Sequence, residues 1–121
     1  MIEIFDRRGF TRLAVLDASH CVGADLSGLD LKEANLIEMD LRRVDFSNAD
    51  LSGADLRLAD LSGAKFCHTN LSRCDLTGAN LTDADFTGAQ LDETKLPEQW
   101  RHLLPAASEV RVSISVLKKD R

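Results

Sequence analysis

The sequence predicts an all-β solenoid, a four-sided β-helix of about four coils with a short C-terminal helix and flanking cap strands. Three observations predict it. Stepping by five from Leu26 to Leu96, all fifteen positions hold Leu or Phe, and twelve of the chain's nineteen leucines fall in this register. The residue before each centre is Asp or Asn in twelve of the fifteen, the exceptions being Lys65, Gln90 and Lys95. The three phenylalanines of the series, Phe46, Phe66 and Phe86, are spaced by 20 residues.

A period of five suits neither a helix, whose apolar spacings are three and four, nor an ordinary strand, whose period is two. The period of 20 supplies the geometry: four pentads return the chain to the same place, so each coil has four sides and the phenyl rings fall in one column. Residues 24–98 hold fifteen pentads, a stack about 17 Å tall at the usual inter-strand spacing. Within each pentad the centre and the residue two before it alternate inward, leaving three positions outside. The position two before the centre is Ala in nine of fifteen cases. Pairing one large with one small residue per side lets successive layers interdigitate. Leu29, Met39 and Val44 put bulk at that position and predict slightly wider N-terminal coils.

The flanks read as covers for the open ends of the stack, which would otherwise expose unpaired edges. In residues 1–23, the apolar stretches Ile2–Phe5 and Arg12–Leu16 flank Asp6-Arg7-Arg8-Gly9 and predict a hairpin, with Gly9 suited to positive φ. Leu16 and Cys21 share the phase of the repeat, so this cap leads into a degenerate first coil. At residues 99–121 a C-terminal cap is predicted. Pro97 and Glu98 suit a helix first turn, Trp100, Leu103 and Leu104 share a face, and Pro105 ends the helix. The run Val110-Arg111-Val112-Ser113-Ile114-Ser115-Val116 then alternates with strict period two. It reads as a half-buried strand that either lines the solenoid's last edge or pairs with its copy in a homodimer, making Val110, Val112, Ile114 and Val116 the candidate dimerisation residues.

Charge and composition narrow the function. Fifteen basic against twenty acidic residues leave a net charge of −5, which argues against direct nucleic-acid binding through a basic patch and against a polybasic membrane contact. No run of apolar residues approaches a transmembrane length, and the start lacks the basic region and long apolar run of a secretory signal. Cys21, Cys67 and Cys74 are too few and too irregular for a disulfide framework. A reduced, cytoplasmic protein is the expectation. No phosphate-binding loop, serine elbow or paired-histidine motif is present, and a convex rod offers no water-excluding cleft, so the chain reads as a non-enzyme with no catalytic residue, cofactor or metal. Cys67-His68 with Cys74 is the nearest approach to a metal cluster, but Cys74 falls at an inward position and the other two at outward ones, against the convergence that zinc needs. His20 and His102 fall in the caps and stand alone.

The motif Ala-(Asp/Asn)-(Leu/Phe)-X-X, seen as Ala49-Asp50-Leu51-Ser52-Gly53 and Ala79-Asn80-Leu81-Thr82-Asp83, resembles the pentapeptide-repeat family across residues 24–98. The resemblance implies a right-handed quadrilateral β-helix whose sides are short strands joined by tight turns. It also raises a specific partner, because members that protect or inhibit DNA gyrase are thought to present an acidic rod resembling duplex DNA. The charge tests that idea. Residues 24–96 carry −7 and the flanks +2, and no single side exceeds −3, whereas duplex DNA carries roughly ten charges over a height of about 17 Å. Each pre-centre column is also mixed, as in Asp25, Asp45, Lys65, Asp85. The leading reading is therefore a protein–protein interaction or scaffold module with a protein partner of unnamed identity, and gyrase mimicry is the alternative. Ile37 and Leu58, outward on the same side in adjacent coils with Arg57 beside them, are the candidate docking residues.

Overall fold

The computed structural model describes residues 1–101. At the N-terminus, β1 (Ile2–Phe5) pairs antiparallel with β2 (Arg12–Leu16), Ile2 opposite Leu16 and Phe5 opposite Arg12. Asp6 closes the hairpin: its Oδ1 accepts the N–H groups of Phe10 and Thr11 at 2.9 and 3.2 Å. Its carbonyl accepts that of Gly9, which sits at φ 79°.

Beyond the hairpin the chain returns on itself every 20 residues. Eleven parallel bridges join residues 20 apart, from Asp25–Asp45 to Asp75–Lys95. The pairing follows from the pentad. The N–H of a centre residue bonds the carbonyl 19 residues on, as Leu26 does to Asp45 at 2.8 Å, and the N–H of Asp45 bonds back to Ala24 at 2.9 Å. A turn then closes between one centre and the small residue three later, as Ala34 N–H does on Leu31 O at 3.0 Å. The same turn forms already at Cys21, whose carbonyl accepts the Ala24 N–H at 2.8 Å and whose side chain is buried.

The third residue of every such turn has positive φ, from Gly23 to Glu93, as a type II turn requires. Nine of these positions are not glycine: Glu33, Glu38, Arg43, Asn48, Leu58, His68, Arg73, Asp83 and Glu93. One left-handed residue in every five interrupts the extended backbone. Each side therefore holds a single bridged residue and not the short strand expected for it, and the named strands among the described residues are those of the hairpin.

The core fills the inside of the coils. Every centre from Leu26 to Leu96 is at most 3% exposed, worth about 1.5–3 kcal/mol for each large side chain taken from water. The phenyl rings stack in their column, Phe46 on Phe66 at 5.3 Å and Phe66 on Phe86 at 4.9 Å, within 11° of parallel. The inward polar side chains find partners in the next layer. Thr69 Oγ1, Cys74 Sγ and Thr94 Oγ1 each donate to the carbonyl of the centre residue 23 before, Phe46, Leu51 and Leu71, at 2.7 Å. Burial pushes the Cys74 thiol up to about 12. Val44 is buried and Met39 half-buried, whereas Leu29 stays partly exposed at 38%. Leu29 lies in the first coil, and the hairpin docks elsewhere on that coil's edge.

That docking is antiparallel. Asp6 bridges Ala34, Asn35 N–H bonds Phe5 O at 2.8 Å and Arg7 N–H bonds Glu33 O at 2.7 Å. Ile4 of β1 is buried in the core, and Ile2, Leu13, Ala14 and Leu16 of the hairpin pack against it. At the other end α1 spans Glu98–Arg101, and Trp100 is 6% exposed within the core cluster. No helix among the described residues is long and apolar enough to cross a membrane. The expected continuation of the helix through Leu103 and Leu104 to Pro105, and the strand carrying Val110, Val112, Ile114 and Val116, lie outside the described residues.

Candidate functional site

The repeat assigns each outward residue a job before any partner is considered. In twelve pentads the pre-centre Asp or Asn turns its Oδ1 onto the N–H two residues later, at distances from 2.9 Å (Asp45 to Ser47) to 3.4 Å (Asp40 to Arg42). This side-chain cap satisfies a turn donor that the ladder leaves unpaired. A Ser or Thr at the second position adds its hydroxyl, as Ser27 does to Asp25 at 2.6 Å. The hydroxyls of Ser27 and Ser47 hold the carboxyls of Asp25 and Asp45 below the ordinary Asp range. Much of the chain's acidity is thus engaged in turn capping.

On the side of Leu36, Leu56 and Leu76 this scheme is modified. Asp55 accepts the Arg57 N–H at 3.2 Å and also both Nε and Nη2 of the Arg57 guanidinium at 2.8 Å. Arg42 grips Asp40 in the same way on another side. The difference is burial: the Asp40 side chain is half-exposed, but that of Asp55 is 6% exposed while its arginine remains half in water. The guanidinium bonds of Arg57 are the main cause that holds the Asp55 carboxyl low, and Arg7 adds to it; Asp55 in turn raises Arg57. A buried carboxylate therefore fixes an exposed cation in one orientation.

Leu58 follows at φ 62° with 58% of its surface exposed. A bulky side chain in the left-handed region costs roughly 1–2 kcal/mol, and six of the fifteen equivalent turns use glycine instead. Its room comes from the next coil, where Gly78 carries no side chain: a Cβ there would lie 2.6 Å from Leu58 Cδ2. Ile37, one coil earlier, is half-buried, and its N–H is capped by Asn35 Oδ1 at 3.2 Å. Ile37, Arg57 and Leu58 line one shallow groove of about 380 Å³ together with Glu38 and Thr77.

The structure therefore brings together the three residues singled out as a docking patch. It adds two that sequence reasoning placed only in a hairpin turn. Arg7 and Arg8 join Ile37, Asp55 and Arg57 around a neighbouring groove of about 390 Å³. Arg7 Nη1 donates to Gly53 O at 3.2 Å, and the Arg8 guanidinium lies 5.6 Å above the exposed Phe10 ring. The adjacency of two arginines was visible, but their placement depends on the antiparallel Asp6–Ala34 bridge, which has no local signal. Of the residues weighed as metal ligands, Cys74 is buried, Cys67 half-buried and His68 exposed. No group of three metal-ligating side chains converges among the described residues.

The model of pentapeptide repeats matches residues 19–57 and 59–96 in eight copies. No curated protein sequence gives a significant match. Among solved structures, the chain is similar to the pentapeptide repeat protein Rfr23 of the cyanobacterium Cyanothece 51142, at 35% identity over 61% of this chain and 54% of that one, with a TM-score of 0.41. A pentapeptide repeat protein of the Arabidopsis thaliana thylakoid lumen is 23% identical over 84% of this chain and 89% of that one, with a TM-score of 0.38. HetL of Nostoc sp. strain PCC 7120, involved in heterocyst differentiation regulation, is 32% identical over 63% and 46%, with a TM-score of 0.26. The chain spans about half the length of Rfr23.

Proposed function

Because the chain belongs to the pentapeptide-repeat family, we propose that it is a non-enzymatic protein–protein interaction or scaffold module, built as a right-handed quadrilateral β-helix, that docks a partner through Ile37, Arg57 and Leu58. One observation carries this reading: Leu58, the most exposed large apolar side chain of the coils, lines a single groove with Ile37 and Arg57, which sets apolar surface and a cation side by side for a partner. Arg57, pinned by buried Asp55, supplies a pre-oriented cation beside it, the residue type enriched where interfaces concentrate their binding energy. The acids argue against a DNA-like surface, since their spacing follows turn capping and their columns are broken by Lys65 and Gln90.

The test is affinity capture with the intact chain and with an Ile37→Asp, Leu58→Asp double variant, compared by mass spectrometry. Both positions are outward, so the variant should melt close to the parent and lose the specific partner. A variant that unfolds would overturn the outward assignment, and one that captures the same proteins would overturn the patch. Inhibition or protection of gyrase in a supercoiling assay would replace this reading by DNA mimicry.

A further inference from the structure

We infer that the occupant of this patch is an acidic peptide segment bearing an aliphatic side chain, laid between the N-terminal hairpin and the side carrying Ile37 and Leu58. The inference rests on the docking reading above and adds the chemistry of the partner. The two grooves share Ile37 and Arg57, so together they form one open track that runs from the hairpin to the third coil. It is too shallow to enclose a small molecule, whose sites bury most of the ligand, and its elongated form suits a chain in extended conformation.

Charge chooses among such chains. Three guanidinium groups, those of Arg7, Arg8 and Arg57, line the hairpin end of the track. Arg57 is neutralised by Asp55. Neither Arg7 nor Arg8 has a carboxylate at ion-pair distance among the described residues; one holds a carbonyl and the other faces a phenyl ring. Glu33 and Asp55 border this end as opposing charges, the Glu33 stem laid along Gly53, where a Cβ would meet its Cγ at 3.1 Å, and Glu38 stands at the other end of the track. The hairpin end thus holds three guanidinium groups against the carboxylates of Glu33 and Asp55, an excess of positive charge on a molecule of net charge −5, and there an acidic segment gains contacts that a basic or neutral one does not. The apolar end of the track then takes the aliphatic side chain: Leu58 stands over Gly78 with more than half its surface free, and Ile37 lies beside it.

The experiment selects peptides from a random phage-displayed pool on the immobilised full chain and measures the enriched peptides by fluorescence anisotropy. Wild type is compared with Arg8→Glu, Arg7→Glu with Arg8→Glu, and Leu58→Asp, each checked for an unchanged melt. Arg8→Glu alone keeps the test sound should the double variant fold poorly, since Arg8 makes no hydrogen bond to the coils. Enriched peptides should pair two or more acidic residues with a nearby Leu, Ile or Met. Reversing both arginines should weaken binding about tenfold or more and remove most of its dependence on ionic strength. Peptides that are basic or uncharged, indifferent to the arginines yet lost with Leu58→Asp, would overturn the acidic partner and leave the docking patch standing. Peptides insensitive to every variant, or no enrichment at all, would overturn both.

Discussion

Replacing Phe66 by alanine removes the middle of the ring column. Phe66 is fully buried and stacked on both faces, 5.3 Å from Phe46 and 4.9 Å from Phe86. Truncation deletes a buried ring, worth about 3–5 kcal/mol with the cavity and both lost stacks counted together. A net loss of about 4 kcal/mol is the expected outcome. For a chain of 121 residues it lowers the melting temperature by roughly 12–24 °C, and it consumes much of the 5–15 kcal/mol typical of a folded domain. Phe66→Leu supplies the control. Leucine is the centre residue on the other three sides, so it should fold in place and cost about 1 kcal/mol. Urea unfolding followed by circular dichroism at constant m reads both values. An alanine variant that loses less than about 1.5 kcal/mol, or a leucine variant as damaged as the alanine one, refutes the column as a packed and load-sharing element.

Four further outcomes follow from the same structure. Gly78→Ala should cost about 1 kcal/mol more than Gly28→Ala, because both have positive φ but only the Gly78 Cβ would meet Leu58; adding Leu58→Ala should remove the difference, and calorimetry that finds the two glycines equal would remove Leu58 from that position. The carboxyls of Asp25, Asp45 and Asp55 are held below their ordinary value of 3.8 by Ser27, Ser47 and Arg57 respectively. Stability should therefore be level above about pH 5 and fall as the solution is acidified through 3.8 and then through the lower folded values, and a melting temperature that stays flat or rises between pH 5 and pH 3 contradicts the capping role. Thr69→Val keeps the shape but deletes a buried 2.7 Å bond to Phe46 O; since that carbonyl keeps the Ala49 N–H, the loss should be only about 1 kcal/mol by chemical denaturation, and a loss near 3 would mean that the layers depend on these internal hydroxyls. If Val110, Val112, Ile114 and Val116 join two copies, light scattering should give a dimer for the full chain and a monomer for a chain ending at Leu104, and two monomers would exclude that role.

The repeat made the core readable because each pentad states the same instruction many times: Leu or Phe at the centre, a small residue two before it, and a period of 20 that predicted the ring stack. The hairpin was readable from its two apolar stretches around Gly9. The left-handed turn was harder to see, since Glu33, Arg43 and Leu58 adopt it as fully as Gly53 or Gly63 do, and the closure of the coil outweighs the preference of the residue. Leu29 shows the opposite limit: it has the phase of an inward residue, but the first coil has no neighbour on that edge to cover it. The site was half readable. Ile37, Arg57 and Leu58 share a side by arithmetic alone, whereas Arg7 and Arg8 reach them through a cap whose docking edge depends on tertiary contacts.

The 20-residue return gives the surface an address system. A gain or loss of 20 residues within the coils would leave every outward residue on its own side, one storey higher or lower. A gain or loss of five would still put a large residue at every inward centre, but would turn everything beyond it by a quarter, any later ring of the Phe46–Phe66–Phe86 column included. Inserted between Ile37 and Leu58, such a pentad would move them to different sides of a protein that still folds. Burial at the centres is thus written in units of five, whereas a docking face, like the ring column, stays in register only in units of twenty.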